Sequence, residues 1–144
     1  MKRQDTIHSL DTLVRLRSTE VDKLQAELAR QEAMRARYQA SVERLTALAE
    51  GSGASGRLAP ALALNCGQYK QAVFALADHH RTDLQLHEAN MAVSQRHLAQ
   101  AWTRRELLGK VLEQEQDQLA REQERAARKR EDEIATQSWL AGRA

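Results

Sequence analysis

The chain has 144 residues and a formal net charge of +2, from 22 basic and 20 acidic side chains. Aromatic residues make up only 3% and charged residues 29%, and isoleucine stands only at Ile7 and Ile134, so there is too little β-branched and aromatic volume for a sheet core. Alanine, Leu, Glu, Gln, Arg and Lys dominate, the composition of long helices and coiled coils, and it leaves little material for an enzyme pocket.

The first residues, Met1 to Thr6, are polar and lead into no apolar signal core. A first helix is expected over about residues 6–49. Leu10, Leu13, Arg17, Val21, Leu24, Leu28, Met34, Tyr38, Val42, Leu45 and Leu48 recur mostly at three- and four-residue steps, which places them on one stripe. The stripe thins between Gln31 and Arg37, where Met34 is the one large apolar residue.

A loop is expected over about residues 50–65. Gly51, Gly53, Gly56 and Gly67 are four of the six glycines, and Pro60 is the single proline. Backbone entropy argues against a helix through Glu50 to Gly56, and the glycines read as a linker rather than a phosphate-binding run. Asn65-Cys66-Gly67-Gln68 has capping-box spacing, so the second helix is expected over about 66–138, with one extra short turn possible after Pro60. Its stripe runs Tyr69, Val73, Leu76, His80, Leu84, His87, Met91, Leu98, Trp102, Leu108 and Leu112.

Helices this long need a partner along the stripe, and folding the second back antiparallel on the first pairs residues whose numbers sum to about 116. Leu45 then lies near Ala72, Val42 near Val73 and Phe74, Leu24 near Met91, Leu13 near Trp102, and Leu10 near Leu107 and Leu108. The partner ends there, and the stripe ends with it. From Glu113 to Glu133, 13 of 21 residues are charged, so the second helix is expected to overhang by about 25 residues, roughly 40 Å. The fold class is all-α, a long two-helix antiparallel coiled coil (a helical hairpin) in a single domain spanning 1–144.

Nothing in the pattern supports catalysis, a cofactor or a metal. His80, Asp83 and His87 share a face, but two turns separate the histidines by about 10 Å, too far to close on one ion. His79 with Asp83 is the only well-spaced pair. Cys66 has no committed base beside it, and a lone cysteine makes no internal disulfide. Arg128-Lys129-Arg130 is followed at once by Glu131-Asp132-Glu133, which cancels its field and argues against nucleic acid. Leu58 to Leu64, the most apolar window, is too short to span a bilayer.

Taken together, these features resemble a known family. A lead ending in Leu10-x-x-Leu13-x-x-Leu16 is followed by Glu20-Val21, then a loop of about 15 residues and a Leu64-Asn65 helix start. The second helix opens Tyr69-x-x-x-Val73-x-x-Leu76-x-x-x-His80, and the chain closes in a charged helix carrying Glu131-Asp132-Glu133. This is similar to the flagellar export protein FliJ family, across nearly the whole chain.

The resemblance implies a non-enzymatic component of the flagellar type III export apparatus, cytoplasmic and peripheral at the inner face of the inner membrane. It implies a stalk in the hexameric export ATPase ring that promotes ring assembly and activity, contacts the export-gate protein FlhA and escorts substrate chaperones. The gate-binding positions carried over are Tyr69, Val73, Leu76 and His80 on the second helix. On the first they are Ser41, Leu45 and Leu48, with a fourth near Ser52. Leu48 and Ser52 stand where some relatives carry rings. In the overhang, Arg121, Arg125, Arg128 and Arg130 are the expected ATPase-ring contacts. The alternative is a generic structural coiled coil, a homodimer or spacer with no part in secretion.

Overall fold

A computed structural model describes residues 2–51 and 59–143. Two helices account for them, α1 over Lys2–Gly51 and α2 over Pro60–Gly142. The expected linker at Gly53 and Gly56, and the fourth helix-one position at Ser52, lie outside the described residues. Of the loop expected over 50–65, Gly51 belongs to α1 and Pro60 onward to α2.

Both helices start earlier than their sequence signals suggest. Pro60 is the first residue of α2, and the carbonyl of Ala59 accepts from the N–H groups of Leu62 and Ala63, both at 3.0 Å. Proline fits this position because its missing N–H would have no intrahelical partner there and its φ is already helical. The capping box at Asn65 is therefore not used as a start, and the extra turn after Pro60 is continuous with the rest of α2. Nothing from Lys2 to Ile7 breaks a helix, and α1 takes in these residues as well.

The chain divides into two compact units. The first joins residues 1–21 to 100–144, pairing the start of α1 with the latter part of α2. Val21, Ala101 and Leu112 are buried in it. Arg3 reaches across to α2, donating to Gln118 Oε1 at 2.7 Å and pairing with Glu122 at 3.4 Å and Glu115 at 3.8 Å. The pairing of the helices therefore reaches Glu122, about ten residues beyond the end expected from the stripe. The overhang itself is present. From Gln123 to Arg143 every residue except Ala127 is exposed.

The second unit spans residues 22–99 and buries Ala49, Val73, Ala77 and Met91. Its cross-helix contacts run antiparallel: Gln31 with Ser94, Arg35 with Glu88, Thr46 with Arg81. The fold class is the expected one, an all-α antiparallel two-helix coiled coil with an overhanging second helix. The facing sum agrees with the expected value of about 116 to within two residues where the Gln31 carbonyl meets His87, whereas the Gln31 side chain reaches on to Ser94 and Thr46 meets Arg81, two to three turns further along α2.

The physical reason lies in the seam. Three of the buried residues, Ala49, Ala77 and Ala101, are alanines, which pack with little shape to oppose a slide of one helix on the other. Polar contacts supply the discrimination that the apolar stripe lacks. Local ion pairs such as Arg30–Glu27 and Arg15–Asp11 line the outer faces, each worth about 0.3–0.5 kcal/mol.

Candidate partner-binding surfaces

The expected gate-binding residues fall in the second unit. Tyr69 is 50% exposed, Leu76 46% and Leu48 50%. Val73 is buried, while Leu45, Ser41 and His80 are half-buried. On α2 the steps from Tyr69 to Val73, Leu76 and His80 keep all four on one stripe. The buried Val73 belongs to the seam, and Tyr69 and Leu76 offer apolar surface beside it. Covering such apolar surface would be worth about 25 cal/mol per Å², and several other large apolar residues of the chain are equally exposed.

Two of these positions, Ser41 and His80, come together from different helices. With Met34, Arg37 and Tyr38 they line an open groove of about 230 Å³. The His80 Nδ1 is buried and has no hydrogen-bond partner. Tyr38 packs against His87 at 5.5 Å between ring centroids. Met34 and Tyr38 lie on the predicted stripe and read there as seam residues, but Met34 is 47% exposed. Periodicity identifies the face of a helix, and it does not show which residues on that face stay exposed.

His79 Nε2 lies 3.8 Å from Asp83 Oδ2 on the solvent side. His87 turns into the seam, with Nε2 2.7 Å from the carbonyl of Gln31. Among the described residues no three His, Cys, Asp or Glu side chains gather to hold a metal. Cys66 is a half-buried free thiol.

In the first unit, Arg121 is exposed at the last paired turn, and Arg125, Arg128 and Arg130 are exposed on the overhang beyond it. Arg128 is paired with Glu124 at 2.6 Å, and Arg130 donates to the carbonyl of Ala126 at 3.4 Å. Arg121 and Arg125 make no ion pair among the described residues, and both are exposed. A further feature goes unmarked by stripe analysis. Ile134, Trp139 and Leu140 are large, apolar and more than half exposed, and their spacing is not that of a single helix face. No helix among the described residues is long and apolar enough to cross a membrane.

Long paired helices with a thin seam, half-exposed apolar residues and an unpaired charged extension define an all-α coiled-coil protein. The family model described as "Flagellar FliJ protein" matches residues 6–144, and the chain belongs to that family. Membership assigns it a flagellar export-related role in a family of non-enzymatic export components. No curated protein and no solved structure matches the chain.

Proposed function

We propose that the chain is a stalk of the flagellar export ATPase ring that also contacts the export gate and escorts substrate chaperones. The observation that carries this reading is the extension of α2 past Glu122, where α1 no longer accompanies it and nearly every side chain is exposed. A solitary helix of this kind has no seam to bury, yet its Gln, Glu, Arg and Ala content favours helix. Glu124 and Arg128 at i,i+4 add the favourable orientation of pair. Such a rod fits a ring-shaped partner, with Arg121, Arg125, Arg128 and Arg130 offered to acidic groups on the ring.

At the other unit, the gate protein FlhA is met by Tyr69, Leu76 and Leu48, with Leu45, His80 and Val73 behind them. Half exposure beside a buried valine supports this assignment, since the apolar surface is available without unfolding the pair. Association with the membrane is peripheral, through the gate, and the chain works on the cytoplasmic side. Removing everything after Glu122 tests the stalk: thermal unfolding of the remaining pair should shift little, and stimulation of the export ATPase should be lost. Full stimulation by the shortened chain would refute it.

A further inference from the structure

His80 and His87 stand one heptad apart on α2, so they return to the same face two turns from one another. Only one of them is bonded across the seam. His87 Nε2 donates to the carbonyl of Gln31, which sets the facing sum there at 118. His80 has no counterpart on α1, and its Nδ1 is buried without a hydrogen bond. Gln31 Oε1 is buried and unpartnered as well, although Gln31 Nε2 donates to Ser94 Oγ, one heptad beyond His87. Two buried polar atoms of the second unit thus lack partners in the present register, a cost that packed helices normally avoid.

A slide of one heptad, to a facing sum of 111, would put His80 where His87 now stands, beneath the Gln31 carbonyl. His87 would take the place of Ser94 and could donate to Gln31 Oε1. In the seam Leu84 would replace Met91, an exchange of similar volume. The first unit admits the same step. Arg3 pairs with both Glu115 and Glu122, again one heptad apart, so the slide brings Glu115 to the place of Glu122 and keeps an ion pair. A step of three residues would instead set Leu84 beneath the Gln31 carbonyl and lose the hydrogen bond. The ends of the helices leave room for the slide. At a sum of 118 Gly51 stands opposite Gly67, so Pro60 to Cys66 run on past α1, with Leu62 49% and Leu64 64% exposed. At 111 Pro60 draws level with Gly51, and the chain that joins them has less distance to span.

We infer that the helix pair has two registers one heptad apart, with His87 and His80 alternating as donors to the Gln31 carbonyl. The alanines of the seam, Ala49 and Ala77 among them, oppose such a slide weakly, and the polar layer restricts it to whole heptads. Passing from one register to the other moves α2 by about 10 Å along α1. It withdraws residues 60–66 at one end and adds seven residues to the unaccompanied length of α2 at the other. The alternation is a property of the pair itself and holds whatever the chain binds.

Disulfide formation within the full chain tests the two registers. Leu45 faces Val73 at a sum of 118 and the free thiol Cys66 at 111. In the present register residues 45 and 66 are offset by about 10 Å along the axis, beyond the roughly 7 Å between Cα atoms that a disulfide spans. Three chains are oxidised at high dilution with copper phenanthroline. One carries Leu45→Cys beside the native Cys66. The others carry Cys66→Ser and Leu45→Cys with either Val73→Cys or Tyr69→Cys. The 45–73 link should form fastest, and the 45–66 link at least about five-fold faster than 45–69, although residue 69 is the nearer to Val73. A 45–69 link as fast as 45–66, or no 45–66 link at all, would overturn the slide. In the Leu45→Cys chain, His80→Ala should slow the 45–66 link about five-fold or more, and His87→Ala should speed it by a similar factor. Unfolding of the pair would move both variants in the same direction. A shared direction, or no change in either, would refute the alternation of the histidines.

Discussion

The imidazole Nε2 of His87 on α2 lies 2.7 Å from the backbone carbonyl of Gln31 on α1. A carbonyl only accepts, so Nε2 carries a proton and donates it, a second bond for a carbonyl already placed in a helix. The same Gln31 donates from Nε2 to Ser94 Oγ at 3.0 Å, and Tyr38 stacks obliquely on the His87 ring. The stretch where the predicted stripe thins is thus a polar layer that fixes which turn of α2 meets which turn of α1. Polar residues in a coiled-coil seam trade stability for register in this way.

Replacing His87 by Ala should therefore act on register as well as stability. The lost hydrogen bond and ring contact together should cost about 1–2 kcal/mol in urea unfolding. His87→Gln, which can still donate, should recover part of that. A His87→Ala protein as stable as the parent would show that the layer has no such role.

Register itself is open to direct measurement. With Cys66 replaced by Ser, cysteines at Gln31 and Ser94 should be joined within one chain by a short thiol cross-linker. Cysteines at Gln31 and Gln85, the pair that the sequence arithmetic sets opposite, should join poorly. The reverse ranking would contradict the Gln31–Ser94 hydrogen bond and the exposure of Gln85.

Packing should follow burial. Met91 is 4% exposed, and Met91→Ala should cost about 2–4 kcal/mol. Leu24 is only half-buried, so Leu24→Ala should cost about half as much or less. Equal losses by thermal or urea unfolding would mean that Leu24 sits deeper in the seam than α2 allows.

These contrasts mark what the sequence could and could not carry. Val21, Val73, Met91 and Leu112 are buried, and all four lie on the predicted stripes, because large apolar residues at three- and four-residue steps can bury themselves on one face only. Ala49, Ala77 and Ala101 are buried too, and nothing distinguished them from the many alanines on other faces. Register was legible only approximately, because an alanine-rich seam is nearly indifferent to a slide of a turn or two. The contacts that decide it, Arg3 with Glu122 or Gln31 with Ser94, join single polar residues far apart in the chain. Of the candidate surfaces, Tyr69 and Leu76 were visible as stripe members. That they stay half exposed beside a buried Val73 required the pairing geometry.

The gate surface gives the next expectation. Tyr69→Ala with Leu76→Ala should weaken binding to FlhA at least ten-fold, while helix content and unfolding midpoint change little, since both side chains are half exposed. Val73→Ala should do the opposite, costing about 1–2 kcal/mol of stability and affecting gate binding only as far as the pair loosens. If both variants lose helix content and binding in proportion, Tyr69 and Leu76 are seam residues and the surface lies elsewhere.

The arginines of the rod should differ among themselves, and salt should reveal how they act. Arg128 already has Glu124 at 2.6 Å, whereas Arg121 and Arg125 have no carboxylate partner among the described residues. A cation without an intramolecular partner gives its full Coulomb energy to an acidic group on the ring, while a paired one must first give up its carboxylate. Arg121→Gln with Arg125→Gln should therefore reduce ATPase stimulation more than Arg128→Gln with Arg130→Gln. Each exposed pair formed with the ring is worth about 0–1 kcal/mol, enough for contact and weak enough for exchange between subunits. Screening shortens the reach of such charges to about 8 Å at 0.15 M salt and about 3 Å at 1 M. Stimulation by the parent chain should fall steadily between those conditions, and stimulation by the Arg121→Gln, Arg125→Gln chain should fall less steeply, having less charge to screen. Salt curves of equal slope for the two chains would show that these arginines do not meet the ring.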